Sequence, residues 1–211
     1  MAALRSPTLR KVKRSAGAAA FFVLGGMTAA GLSVARQPTH AAAAPRAAVA
    51  ADRIVVPAAA VRQALADGEI DRPIKTVLNV PARMSYGDYR WDEKGVPSGP
   101  IWVRVDPKAQ LLSVFRAGHE IGTAVILYGA RDVPTPTGKF PILAKMKDHR
   151  SATYDAPMPY TLRLTADGVS IHASEVRWGY ATHGCIGVPM AFAAKLFAAA
   201  SVGDEVFITN S

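Results

Sequence analysis

The chain has 211 residues, half of them hydrophobic, a formal net charge of +9 and a single cysteine. Seven of its 25 Lys/Arg and none of its 16 Asp/Glu fall in residues 1–50, which leaves 18 basic against 16 acidic residues for the remainder. That near-balance excludes the clustered positive face that phosphate binding needs, so nucleic acid is not an expected partner. One cysteine also excludes an internal disulfide framework.

In chain order, residues 1–14 carry Arg5, Arg10, Lys11, Lys13 and Arg14 and no acid, and residues 15–35 then run without a charge. A basic start, an apolar stretch and small residues around Thr39-His40-Ala41 are the parts of an export signal. The apolar run is also long enough to span a bilayer, so a cleaved signal and an uncleaved membrane tether through residues 15–35 both stay open. Either way, everything after residue 36 is expected outside the cytoplasm, in the periplasm or cell envelope. The expected plan is a signal or anchor over residues 1–41, a linker and N-terminal extension over 42–97, and one folded domain over 98–211. Residues 36–60, rich in Ala, Pro and Arg without apolar periodicity, read as linker. Residues 57–68 suit a short helix ended by Gly68.

From about residue 98 the pattern becomes one of short strands. Ile101–Asp106 alternates apolar and polar residues, and Gln110–Phe115, Glu120–Leu127 and Lys139–Ala144 are further short runs bounded by Gly or Pro. Leu162–Thr165 and Val169–His172 flank Asp167-Gly168, a hairpin signal. Asp148–Pro159, with two prolines and no clear periodicity, reads as a mobile flap. Pro189 suits the first position of one helix, its apolar stripe formed by Ala193, Leu196, Phe197 and Ala200, with Gly203 beyond it and a closing strand over residues 205–209. The class is mainly β, with about 110 residues for one core.

The single thiol, Cys185, stands in Thr182-His183-Gly184-Cys185-Ile186. In an exported chain an unpaired thiol is either buried and inert or reactive by purpose. A thiol attacks carbonyls as thiolate, so it needs a base within hydrogen-bond reach and something to hold that base's ring. His40 lies in the signal or linker. His119, in Ala-Gly-His-Glu, reads as a solvated turn residue. His172 ends an apolar strand, and the loop from Ala173 to Gly184 is long enough to fold Cys185 back onto that strand end. A zinc site from His172, His183 and Cys185 lacks the usual ligand spacing and a fourth ligand, so no metal or cofactor is expected.

These residues, with Thr135-Pro136-Thr137-Gly138-Lys139-Phe140 upstream, carry a resemblance. The chain from about residue 100 to 209 resembles the L,D-transpeptidase (YkuD-type) catalytic domain of bacterial cell-wall enzymes. The resemblance implies a β-sandwich of mixed sheets with one short helix after the cysteine. It implies Cys185 as nucleophile and His172 as base, with the ring oriented by the backbone carbonyl of Ala173 rather than by a carboxylate. The amides of His183, Gly184 and Cys185 would face the oxyanion, with His183 a wall of the site. It implies peptidoglycan stem peptides as partners, for which Thr182, Tyr160, Trp178 and Tyr180 are the expected contacts. Tyr154 and Met158 cluster near the same motif, whereas Thr135 and Thr137 suit turns. Two departures stand out: the His-to-Cys step is short, and Gly187 occupies a position where the family usually has Arg or Asn. The polar contact missing there would fall to Arg163 or Arg177. The expected activity is that of a transpeptidase, with an L,D-carboxypeptidase, a protein-anchoring enzyme or a non-catalytic envelope-binding domain as alternatives.

Overall fold

The computed structural model describes residues 52–210. The charge-free run over residues 15–35 and the expected signal lie outside the described residues, among which no helix is long and apolar enough to cross a membrane. In chain order the elements are β1 (Arg53–Val55), α1 (Ala58–Ala66), β2 (Thr76–Leu78), β3 (Tyr89–Trp91), β4 (Ile101–Asp106), β5 (Leu111–Arg116), β6 (His119–Val125), β7 (Gly138–Pro141), β8 (Ala144–Arg150), β9 (Pro157–Arg163), β10 (Ser170–Ala173), β11 (Ile186–Val188), α2 (Met190–Ala199) and β12 (Glu205–Ile208).

Two mixed sheets result. The larger runs β1-β2-β6-β5-β4-β12-β7, with β3 paired to β6, and the smaller runs β11-β10-β9-β8. Alternation along β4 and β5 turns Val103, Val105, Leu112 and Val114 inward, where they are fully buried. Ile171 and Ile186 from the smaller sheet, with Phe192 and Leu196 from α2, complete the same core. The closing strand is central rather than peripheral: β12 lies parallel to β4 and antiparallel to β7.

Four sequence expectations need correction. The run Lys139–Ala144 is two strands, because after Pro141 the chain crosses between the sheets. There Ile142 donates to Asp204 and Leu143 donates to Arg163. The expected flap, Asp148–Pro159, is the end of the β8–β9 hairpin, with Asp148 opposite Pro159 and Arg150 opposite Pro157. The prolines are tolerated because β10 pairs only with Leu162 and Arg163 of β9, leaving the proline-bearing half with a free edge. The helix after Cys185 begins one residue later than expected, with Pro189 as its N-cap, and its most deeply buried side chain is Phe192 rather than Phe197.

The fourth correction concerns residues 52–97, which read as linker and extension because their strands are three residues long. They are built into the sheet. β1 and β2 extend its edge, and β3 pairs with β6 from Tyr89 opposite Ala124 to Trp91 opposite Gly122. Gly122 is required there, since a Cβ would come within 2.3 Å of the Trp91 ring. Tyr89 and Trp91 then meet the Phe192 ring edge to face, at 5.9 and 5.5 Å. Trp91→Ala is therefore expected to lower unfolding free energy by about 3 kcal/mol in a denaturant titration. A change under 0.5 kcal/mol, the ordinary range for a surface site, would show the extension to be dispensable.

Candidate active site

The chemistry-bearing residues are sorted by one pair of strands. β10 and β11 run parallel, with Ile171 opposite Ile186, His172 opposite Gly187 and Ala173 opposite Val188. Because side chains alternate, Ile171, Ala173, Ile186 and Val188 enter the core. Ser170, His172 and Gly187 take the other face, and extending the same register by one residue sets Cys185 level with Ser170. Cys185 and His172 thus occupy one face as diagonal neighbours. The second edge of β11 is closed by Leu127, which exchanges both backbone hydrogen bonds with Gly187 at 2.9 Å.

His172 is buried, and its Nδ1 lies 2.9 Å from the carbonyl oxygen of Ala173. A carbonyl only accepts, so this contact sets the proton on Nδ1 and leaves Nε2 as the basic nitrogen. The carbonyl expected from the resemblance is the one present. Burial lowers the imidazole's pKa below its ordinary value; the Ala173 carbonyl opposes this, and His149 on β8 adds to the lowering. Burial likewise pushes the Cys185 thiol up, partly offset by the Ser170 N–H and reinforced by the Asp167 carboxylate. Both shifts favour the uncharged forms, a neutral thiol and a neutral imidazole, over a thiolate–imidazolium pair. The sulfur sits 3.9 Å from the Gly168 carbonyl, at the hairpin turn before β10.

Cys185 opens on a cleft of about 550 Å³, lined also by Val133, Pro134, His149, Tyr154, Arg163 and Gly184. The turn before the sulfur is held from two sides. The Thr182 hydroxyl donates to the Cys185 carbonyl at 2.5 Å, and the Thr182 amide donates to Tyr128. Gly184 has φ of +97°, which L side chains rarely adopt, and a Cβ there would meet nothing nearer than 3.7 Å. Its glycine is thus required by backbone conformation rather than by contact with neighbouring side chains. Among the described residues, no hydrogen bond uses the N–H groups of His183, Gly184 or Cys185. Thr135 is buried and accepts from the Gly129 amide at 2.8 Å, which seats Val133 and Pro134 as the opposite wall.

The other expected residues divide. His183 is exposed beside the sulfur and stacks on Tyr154 from the β8–β9 tip, ring centroids 4.4 Å apart. Tyr160 is not in the cleft: its φ of +55° turns the ring onto Phe197 of α2. Trp178 lines a separate hollow with Met84, Tyr86 and Glu120, and Tyr180 another with Tyr128 and Arg131. Thr182 staples the turn. His119 is buried rather than solvated, its Nδ1 2.9 Å from the Thr76 hydroxyl, because β2 lies alongside it. Arg163 lines the cleft, but its guanidinium is bound to the carbonyls of Thr165 and Ala166, and Arg177 pairs with Glu175 in solvent. Neither supplies the contact missing at Gly187. That space belongs to Ser174, whose Cβ and Oγ would each lie 2.8 Å from a Cβ on Gly187. Ser174 was missed from sequence because the signal that finds it is spatial: two residues past His172, on the far edge of a register that no local pattern reveals. Among the described residues no three His, Cys, Asp or Glu side chains converge as a metal site.

This fold and this thiol–imidazole face define a class. The family model for the L,D-transpeptidase catalytic domain (YkuD) matches residues 100–208, more than half of the chain, and the chain belongs to that family. Comparison with curated proteins gives no match. Among solved structures the chain is similar to an L,D-transpeptidase (Yku) from Stackebrandtia nassauensis, at 24% identity over 55% of this chain and 58% of that one, with a TM-score of 0.50. It is also similar to L,D-transpeptidases from Mycobacterium smegmatis (24% identity, 52% and 58% covered, TM-score 0.48) and Mycobacterium tuberculosis H37Rv (20%, 52% and 57%, 0.48). The chain spans less than two thirds of the length of each of these three. At 24% identity the likeness to the Stackebrandtia nassauensis structure is one of fold.

A depressed imidazole pKa has a defined sign. The ring stays neutral to pH below the ordinary 6.5, and burying it neutral costs stability progressively as pH falls from 6.5 through the folded-state value. An NMR titration of His172 is expected to show a midpoint below 6.5. Thiol alkylation should rise with a midpoint above 9.0. A His172 midpoint above 6.5 together with a thiol midpoint below 9.0 would instead mean an ion pair.

Proposed function

We propose that this chain is an exported, cysteine-dependent peptidoglycan L,D-transpeptidase, acting through a thioester on Cys185. The observation that carries the reading is the shared face of β10 and β11, where an imidazole locked by Ala173 neighbours a thiol that opens on a cleft. Export rests on the basic start and the charge-free run over residues 15–35. Family membership supports the substrate class.

His172 Nε2 removes the thiol proton as the sulfur turns from the Gly168 carbonyl toward the substrate. The sulfur attacks the carbonyl carbon of the third stem residue at its L-centre, and the oxyanion meets the N–H groups of His183, Gly184 and Cys185. Backbone donors of this kind contribute about 3 kcal/mol each to the transition state. The C–N bond breaks, the imidazolium returns its proton to the leaving D-alanine amine, and a thioester remains. An amine of a second stem then attacks, giving up its proton to Nε2, and the 3→3 amide forms as the thiol is released. Water in place of the amine gives an L,D-carboxypeptidase, and a protein lysine gives an anchoring enzyme, since all three share the acylation step. A resting neutral pair suits this sequence: the thiolate is made when the substrate is present rather than held exposed.

Cys185→Ala is expected to abolish the mass increase on incubation with a carbapenem-type β-lactam while leaving the melting temperature unchanged. His172→Ala should slow the same acylation about 10²–10⁴-fold. Unchanged kinetics in that variant would falsify the assignment of the base. With defined tetrapeptide stems, mass spectrometry separates dimer, hydrolysed tripeptide and unreacted stem. Unreacted stem alone, with a thiol inert to alkylation, would support a binding domain without turnover.

A further inference from the structure

Ser174 follows the two residues that the mechanism uses, His172 and Ala173, and the structure gives it a fixed seat. Its amide donates to Val188 at 2.8 Å, continuing the β10–β11 ladder by one step. Its side chain is half-buried and lies over Gly187, the register partner of His172. Its Oγ is 3.4 Å from His172 Nδ1. Because Nδ1 already carries its proton toward the Ala173 carbonyl, the Ser174 oxygen faces an N–H and can act there only as an acceptor. An N–H shared between two acceptors, one short and one long, is an ordinary three-centre arrangement. Long contacts of this kind in resting enzymes tighten when charge develops.

We propose that Ser174 is a positioning residue for His172: its hydroxyl, seated over Gly187, is a second acceptor for the Nδ1–H and steadies the charge the ring takes up from Cys185. The inference rests on the reading of His172 as base. It also explains why no larger residue stands at 187. A Cβ there would displace the serine, with 3.4 Å to Leu127 on the other side leaving no alternative room. The remaining ionisable groups around the ring do not supply this contact. His149 on β8 opposes protonation, Asp167 bears on the sulfur, and Arg163 on β9 is bound to backbone carbonyls. The one ionisable residue of α2, Lys195, is exposed on the face away from the core. A neutral hydroxyl favours the imidazolium without adding a fixed charge that would hold it protonated.

The test compares wild type, Ser174→Ala and Ser174→Thr by ¹⁵N NMR of the His172 ring and by the pH profile of acylation with a carbapenem-type β-lactam. In Ser174→Ala the ring keeps its Nδ1–H tautomer, while its titration midpoint falls by about half a pH unit to one pH unit. The acid limb of acylation moves down with it, and the plateau rate drops about 3- to 10-fold as the base weakens. Ser174→Thr, which keeps the hydroxyl, restores both. Gly187→Ala reproduces the Ser174→Ala midpoint by displacing the hydroxyl, and Ser174→Gly with Gly187→Ala recovers the melting temperature but not the midpoint. An unmoved midpoint in Ser174→Ala, even with a lowered melting temperature, overturns the proposal. If His172→Ala instead acylates at the wild-type rate, it is the base that is misassigned, and the midpoint arm still reports separately on the hydrogen bond.

Discussion

The constraint from which the site follows is the parallel register of β10 and β11. A parallel neighbour cannot be reached by a tight turn, so the chain between Ala173 and Ile186 must loop out and return. That excursion carries the Thr182–Cys185 turn to the mouth of the cleft, and Leu127 and Thr182 tie it back to the segment after β6. A slip of one residue would exchange the two faces of β11. Cys185 would enter the apolar layer, and Ile186 would stand beside His172. The four core residues Ile171, Ala173, Ile186 and Val188 therefore protect the chemistry indirectly, since the free energy of burying them is what forbids the slip.

Burial around Cys185 and His172 favours the uncharged form of each. A carboxylate behind His172 would hold the ring as imidazolium and favour a standing thiolate, whereas a carbonyl orients it with only a partial charge. In the proposed mechanism, the same burial that disfavours the thiolate strengthens every dipole aimed at an oxyanion.

Much of this was legible in the chain, and the exceptions have physical causes. The strand over Ile101–Asp106 appeared with its observed ends because one face of it is core and the other is not, the condition under which alternation is visible. The Asp167-Gly168 hairpin was readable because its turn chemistry is local, with Gly168 at φ +109°. The cysteine, the histidine and the orienting carbonyl were named through the family resemblance, and His172 Nδ1 does lie against the Ala173 carbonyl. What stayed hidden was set by distance along the chain. The partners of β1 to β3 lie up to dozens of residues away, Tyr160 points elsewhere because of one positive φ, and the room above Gly187 is decided by Ser174 across a ladder. The two hollows that hold Trp178 and Tyr180 apart from the sulfur follow from the path of a loop with no periodicity to read.

The aromatic grip of Tyr89 and Trp91 on Phe192 reaches further than local stability. Phe192 stands on the helix that directly continues the strand after Cys185, while Asp52 is fastened to the same body through Arg90 and the Asn79 amide. The segment from Asp52 to Trp91 is thereby packed against the helix that follows Cys185, and its removal would uncover the Phe192 ring.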